Sequence, residues 1–181
     1  AAGVLLFAVA WHTNILRPHQ KVRIVAFINP DADPWGAGWQ LRQSLIAIGS
    51  GHFLGQGLFQ GSQSNLAFIP DQETDFIFAV VGEELGFFGS LVLVGLLAAI
   101  IFRCYVAAVE AKDTAGRVLA VGVAAMLSLQ LVVNIGMVLG MMPVKGLPLP
   151  FVSYGGSATL TNFLAIGLVE SVYMRRHKIA F

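Results

Sequence analysis

Apolar positions fall into four blocks with polar stretches between them. Ala1 to about Leu16 is mostly apolar, Phe76 to Phe102 is apolar except for Glu83 and Glu84, Val118 to Val144 is uncharged, and Ser157 to Met174 carries only Glu170. A bilayer crossing needs about 20 consecutive apolar residues. The pattern therefore predicts an all-α, polytopic membrane protein with four spans, at 1–16, 75–102, 118–142 and 157–174. The first is expected to be the remainder of a span that starts before Ala1, with further spans preceding it, because the chain opens inside an apolar run with no basic flank.

The polar stretches fix an expected orientation. Connection 103–117 holds Arg103, Lys112 and Arg117, and tail 175–181 opens Arg175-Arg176-His177-Lys178. Alternating spans put both on one side, and short Lys/Arg-rich loops face the cytoplasm. Loops 17–74 and 143–156 are then extracytoplasmic. Arg17, Lys21, Arg23 and Arg42 in the first of these go against the charge rule, which long loops obey weakly, and they are read as ligand groups.

Composition strengthens this picture. The chain is 56% apolar and 12% charged, against about 45–50% and 25% in soluble domains. A net charge of +1 gives no basic surface for nucleic acid. Cys104 has no partner for a disulfide or a zinc site and reads as a small buried hydrophobe.

Within loop 17–74, Asn29–Pro34 is a turn, and apolar residues from Trp39 to Ile48 predict a short amphipathic helix lying in the interface, with Trp35 and Trp39 as belt aromatics. The glycines from Gly49 to Gly61 lack the Gly-Lys-Ser/Thr ending of a phosphate loop. They read either as tight turns or as a close backbone approach to a lipid-linked ligand. Segment Pro143–Ser157, with three prolines and three glycines, cannot be a regular helix. Irregular backbone near membrane depth must be buried in protein or line a watery cavity, so it is expected to wall a cavity, with Lys145 its only charge.

The chemistry concentrates between Ile69 and Leu85, where Asp71, Glu73, Asp75, Glu83 and Glu84 stand where a polar loop becomes an apolar run. Acids beside hydrocarbon are costly unless paired, hydrated or used. Either Thr74 or Asp75 is suited to cap the helix that follows. Asp75 is also suited to act as a general base at the water boundary. Glu83, about 12 Å further along a helix, is too distant to share that proton; Glu83 or Glu84 is expected to orient a cation or polar partner, with Lys145 a candidate. Gln130 and Asn134 suit hydrogen bonds between helices. These residues fit an enzyme acting on a lipid-anchored substrate and equally a transporter lined by polar groups.

Four motifs add to that. Gln43–Gly51 (QSLIAIGSG), Gly61–Ser64 (GSQS), Thr74–Gly89 (TDFIFAVVGEELGFFG) and Lys145–Ser157 (KGLPLPFVSYGGS) closely resemble the SEDS family of shape, elongation, division and sporulation proteins. These are membrane peptidoglycan glycosyltransferases, and the first two motifs resemble the rod-shape (RodA) branch more than the division (FtsW) branch. The resemblance covers essentially the whole chain and corresponds to the C-terminal half of a ten-span protein. It implies polymerisation of lipid II with Asp75 as the catalytic base, Thr74, Glu83 and Glu84 in support, and Arg23, Lys145, Lys21, Arg42, Gln63, Ser153 and Tyr154 as substrate-binding candidates. It further implies location in the bacterial cytoplasmic membrane with the site facing outside, a class B penicillin-binding transpeptidase as partner within the elongation or division machinery, and no nucleic acid. No metal ligand set is assigned; a divalent cation, Mg or Mn, is the one cofactor that could share the charge of the diphosphate. Lipid II transport and a non-catalytic scaffold for the transpeptidase are the alternatives. The chain departs from the family at Glu73, where His is usual, and at Lys21, where Arg is common; Lys cannot make the bidentate phosphate contact of Arg.

Overall fold

The computed structural model describes residues 36–65 and 72–176, together with Arg23, Val25, Phe27, Asn29 and Asp33. The expected span 1–16, Lys21, Trp35 and Asp71 lie outside the described residues. The described elements are all helical: α1 (Ala37–Ser50), α2 (Ser62–Asn65), α3 (Ile77–Glu110), α4 (Thr114–Val138) and α5 (Gly156–Met174). Two of them, α3 and α4, are long and apolar enough to cross a membrane. The fourth segment read as a span, 157–174, coincides with α5, whose 19 residues rise about 28 Å.

Two apolar clusters hold the helices together. At the end away from Asp75, Cys104, Ala107 and Ala108 of α3 meet Ala120, Ala124 and Leu127 of α4 and Val169 of α5; small residues let helix backbones approach closely where lipid replaces water outside. At the other end Phe76, Phe78, Ala79 and Leu97 pack with Leu131, Met137, Val138, Val144 and Leu149. The connection read as 103–117 is mostly helix, because only residues 111–113 are non-helical. Asp113 starts α4 by accepting from Gly116 N at 2.8 Å, as an N-cap acid should. Nearby, Arg176 pairs with Glu110 and stacks 3.7 Å over the Tyr173 ring, tying the ends of α3 and α5.

Helix α1 forms where the apolar spacing predicted one, but its setting differs. Leu41, Ser44 and Ala47 are buried and the helix packs chiefly on α3; the Ser44 hydroxyl donates to Val138 O at 3.0 Å. It is docked on the bundle as well as carrying exposed Leu45 and Ile46. Asp33 closes its N-terminus by accepting from Ala37 N at 2.9 Å.

Helix α3 is interrupted. Gly86 has φ 66° and ψ −163°, a region that essentially only glycine occupies, and it separates residues 77–85 from 87–110. Loop 51–57 fills the gap. Gln56 N donates to Glu83 O and Gly57 N to Glu84 O, both at 3.0 Å, while Phe87 N donates to His52 O at 3.0 Å and Phe88 N to Phe53 O at 3.2 Å. An unbroken helix would have joined carbonyls 83 and 84 to amides 87 and 88; the loop supplies partners for all four groups. This also corrects the ligand reading of the glycines. A Cβ on Gly51 would strike Gly82 O, one on Gly55 would strike Glu84 O, and one on Gly86 would strike Gly55 N, so the close approach is to α3 itself.

Candidate active site

Asp75 sits on the turn that leads into α3. The helix begins at Ile77 with Phe76 at the N-cap position, so neither Thr74 nor Asp75 occupies it. Three contacts, one from α4 and two from the Pro-Gly segment, set the turn instead. The buried Asn134 amide donates to Asp75 O at 2.9 Å and to Leu147 O at 2.7 Å. The Ser153 hydroxyl donates to Thr74 O at 2.5 Å while accepting from Leu149 N at 2.7 Å. Tyr154 N donates to Glu73 O at 2.8 Å. The Pro-Gly segment thus forms a wall against the acidic turn, as its composition predicted.

The carboxylate of Asp75 faces that wall. A Cβ placed on Gly146 would lie 2.9 Å from Asp75 Oδ2, so the absence of a side chain at 146 lets the acid approach the main chain beside Lys145. Lys145 is exposed. Arg23 reaches the same segment, donating from Nη1 to Val144 O at 3.4 Å. The Asp75 carboxylate and the Arg23 guanidinium thus both approach the main chain of residues 144–146, the segment that carries exposed Lys145. Beyond the turn opens a cleft of about 750 Å³, lined by Glu73, Ile77, Ser153, Tyr154, Thr159, Leu160 and Phe163 among others. Its mixed polar and apolar wall suits a ligand with both characters.

Other candidates lie elsewhere. Glu83, fully buried, accepts from Gln63 N at 2.8 Å and from the Ser62 hydroxyl at 3.3 Å. It anchors α2 and does not meet Lys145 as expected. Gln63 belongs to this second cluster, and Glu84 contributes its carbonyl to the helix break. Arg42 is half-buried on α1. Ser153 spends its hydroxyl on main-chain groups and acts as a brace, whereas the Tyr154 side chain is exposed at the cleft. The sequence suits Asn134 to hydrogen bonding between helices or to a polar lining; its bonds to two loop carbonyls depend on where those loops lie, which the sequence does not show. Gly146 was missed, although a glycine beside the only charge of the segment was its signal.

Residues 1–178 match the family described as cell cycle protein, which groups FtsW, RodA and SpoVE. The chain belongs to this family. A relative from Trichlorobacter lovleyi, a probable peptidoglycan glycosyltransferase FtsW, is 47% identical over 171 residues, 94% of this chain and 45% of the relative. The Escherichia coli K12 peptidoglycan glycosyltransferase MrdB is 45% identical over 166 residues, 92% of this chain and 45% of the relative. FtsW and RodA names both occur among family members at comparable identity, so the resemblance of residues 43–51 and 61–64 to the rod-shape branch carries no branch assignment. The chain spans about half the length of these relatives. Its fold is that of a chain from a peptidoglycan synthase complex that coordinates polymerization and crosslinking, with TM-score 0.73 and 33% identity over 97% of this chain and 49% of that one. The Thermus thermophilus rod shape determining protein RodA, crystallised as an aspartate-to-alanine mutant, aligns with TM-score 0.58 and 38% identity over 75% of this chain and 40% of that one.

Proposed function

We propose that this chain forms the catalytic half of a peptidoglycan glycosyltransferase that polymerises lipid II, with Asp75 as general base. The observation that carries the reading is the approach of Asp75 and Arg23 to residues 144–146, the segment that carries Lys145. In the reaction a sugar hydroxyl of one lipid II gives its proton to the Asp75 carboxylate. Its oxygen bonds to the anomeric carbon of a second molecule, and the bond from that carbon to undecaprenyl diphosphate breaks. Lys145 and Arg23 offset the charge gathering on the departing diphosphate, as fixed cations do where a transition state becomes anionic. Thr74 supports the base through its main chain, and Tyr154, Lys21 and Arg42 stand as contacts to the rest of the substrate.

A divalent cation could share the diphosphate charge, but the described residues do not fit a protein-held metal. Among them, no group of three or more His, Cys, Asp or Glu side chains is placed to bind one, so no step is assigned to it. The site belongs at the outer face of the cytoplasmic membrane, where the substrate's sugars are polymerised. The partner we propose is a class B penicillin-binding transpeptidase of the elongation or division machinery; the fold match to a chain of a peptidoglycan synthase complex supports that pairing.

Polymerisation by the purified complete protein, comparing parent with Asp75→Asn, tests the assignment. Loss of the base is expected to slow glycan formation by about 10²-fold or more; a parental rate from a folded, membrane-inserted variant overturns it. Lipid II movement across vesicles without glycan product would instead establish a transporter.

A further inference from the structure

Around loop 51–61 an acid lies inside and large apolar side chains lie outside, with the polar His52 and Gln60 exposed at the two ends of the apolar run. Glu83 is 0% exposed, while Leu54 is 83%, Phe59 82% and Phe53 68% exposed. Phe53 continues into an aromatic group with Phe87 and Phe88 of α3, ring centroids 5.9–6.3 Å apart, and both α3 rings are themselves exposed. No Lys, Arg, Asp or Glu occurs between Gly51 and Gly61. In water this arrangement would waste burial and solvation alike; in hydrocarbon it is the stable one.

Part of the backbone polarity that is the usual obstacle to a loop inside a bilayer is met here. The amides of Gln56 and Gly57 and the carbonyls of His52 and Phe53 bond to the interrupted helix, Gly55 N bonds to Gly51 O at 2.8 Å, and Gln60 N bonds to Gly57 O at 3.1 Å. Depth agrees. Residues 83–88 lie about 12–20 Å along the helix from Asp75, within reach of the acyl region of a hydrocarbon core about 30 Å thick.

We propose that residues 52–59 form a re-entrant element lodged among the lipid tails of the leaflet on the Asp75 side, with Phe53, Leu54, Leu58 and Phe59 as its lipid-facing side chains. A protein segment could also cover these residues, but lipid is favoured because the patch runs directly into exposed Phe87 and Phe88 of a helix long and apolar enough to span the membrane. The inference depends on α3 crossing the bilayer and is independent of glycosyl transfer.

The test places a nitroxide at Leu54→Cys, and separately at Phe59→Cys, in the complete protein with other cysteines removed, reconstituted in phosphatidylcholine vesicles. Collision with oxygen and with a water-soluble nickel chelate is measured, using Lys112→Cys as the aqueous reference. The expected result at both sites is an oxygen-to-nickel ratio several-fold above that at Lys112. A ratio equal to the reference places the loop in water and overturns the proposal. Low accessibility to both reagents means that protein covers the patch, which overturns it as well. Both positions are exposed, so the labels need displace no core residue.

Discussion

Asn134 holds Asp75 by its main chain, the amide nitrogen donating to the Asp75 carbonyl at 2.9 Å. The same nitrogen bonds to Leu147, so one side chain from α4 sets the distance between the acid and the segment that carries Lys145. Substituting Asn134→Leu leaves two carbonyls unpartnered in a buried place, at a cost of about 1–3 kcal/mol each. Both thermal stability and polymerisation rate are expected to fall. Asn134→Asp keeps the shape but loses the donors, and is expected to fail similarly; parental activity in either variant would remove Asn134 from the site.

Gly146→Ala separates geometry from folding. The new Cβ would sit 2.9 Å from Asp75 Oδ2, and a carboxylate can swing aside more easily than a backbone. Unfolding temperature is expected to stay near the parent while polymerisation drops by as much as about 10²-fold, the penalty for misplacing a reacting group by about 1 Å. Unchanged kcat in purified protein would show that the carboxylate works from another position.

The Glu83 anchor makes a different prediction. Glu83→Ala strips Gln63 N and the Ser62 hydroxyl of their acceptor, costing about 1–3 kcal/mol, whereas Glu83→Gln retains a carbonyl oxygen there and is expected to lie closer to the parent. Denaturation in detergent micelles distinguishes them. Equal stability of all three proteins would mean that the cluster contributes nothing.

Gly86→Ala combines a forbidden conformation with a clash against Gly55 N. A loss of about 2 kcal/mol or more is expected from strain alone, and hydrogen exchange at the Phe87 and Phe88 amides should quicken as loop 51–57 detaches. Parental protection at those amides would show that another conformation accommodates the methyl group.

The helices were legible because their signals are local. The uncharged run in α4 and the apolar spacing of α1 each declare themselves within a few turns. Residues 143–155 were legible as irregular because proline and glycine act where they stand. What the sequence left hidden depends on contacts distant along the chain. Nothing in the run from Phe76 to Phe102 distinguishes Gly86 from Gly89 or Gly95; the break becomes visible only when loop 51–57 is seen lying in it. Glu83 was legible as the holder of a cation or a polar partner, but not which one, because backbone amides such as that of Gln63 leave no mark in the sequence. The acid at 75 was identified by its motif, while its support by Asn134 required the fold.

The interruption at Gly86 also bears on how the protein is made. The first third of α3 takes four of its hydrogen bonds from residues that leave the ribosome before it does. The break therefore forms only where loop 51–57 already lies beside it; a helix that reached the bilayer alone would close carbonyls 83 and 84 onto its own amides 87 and 88, because lipid offers them nothing else.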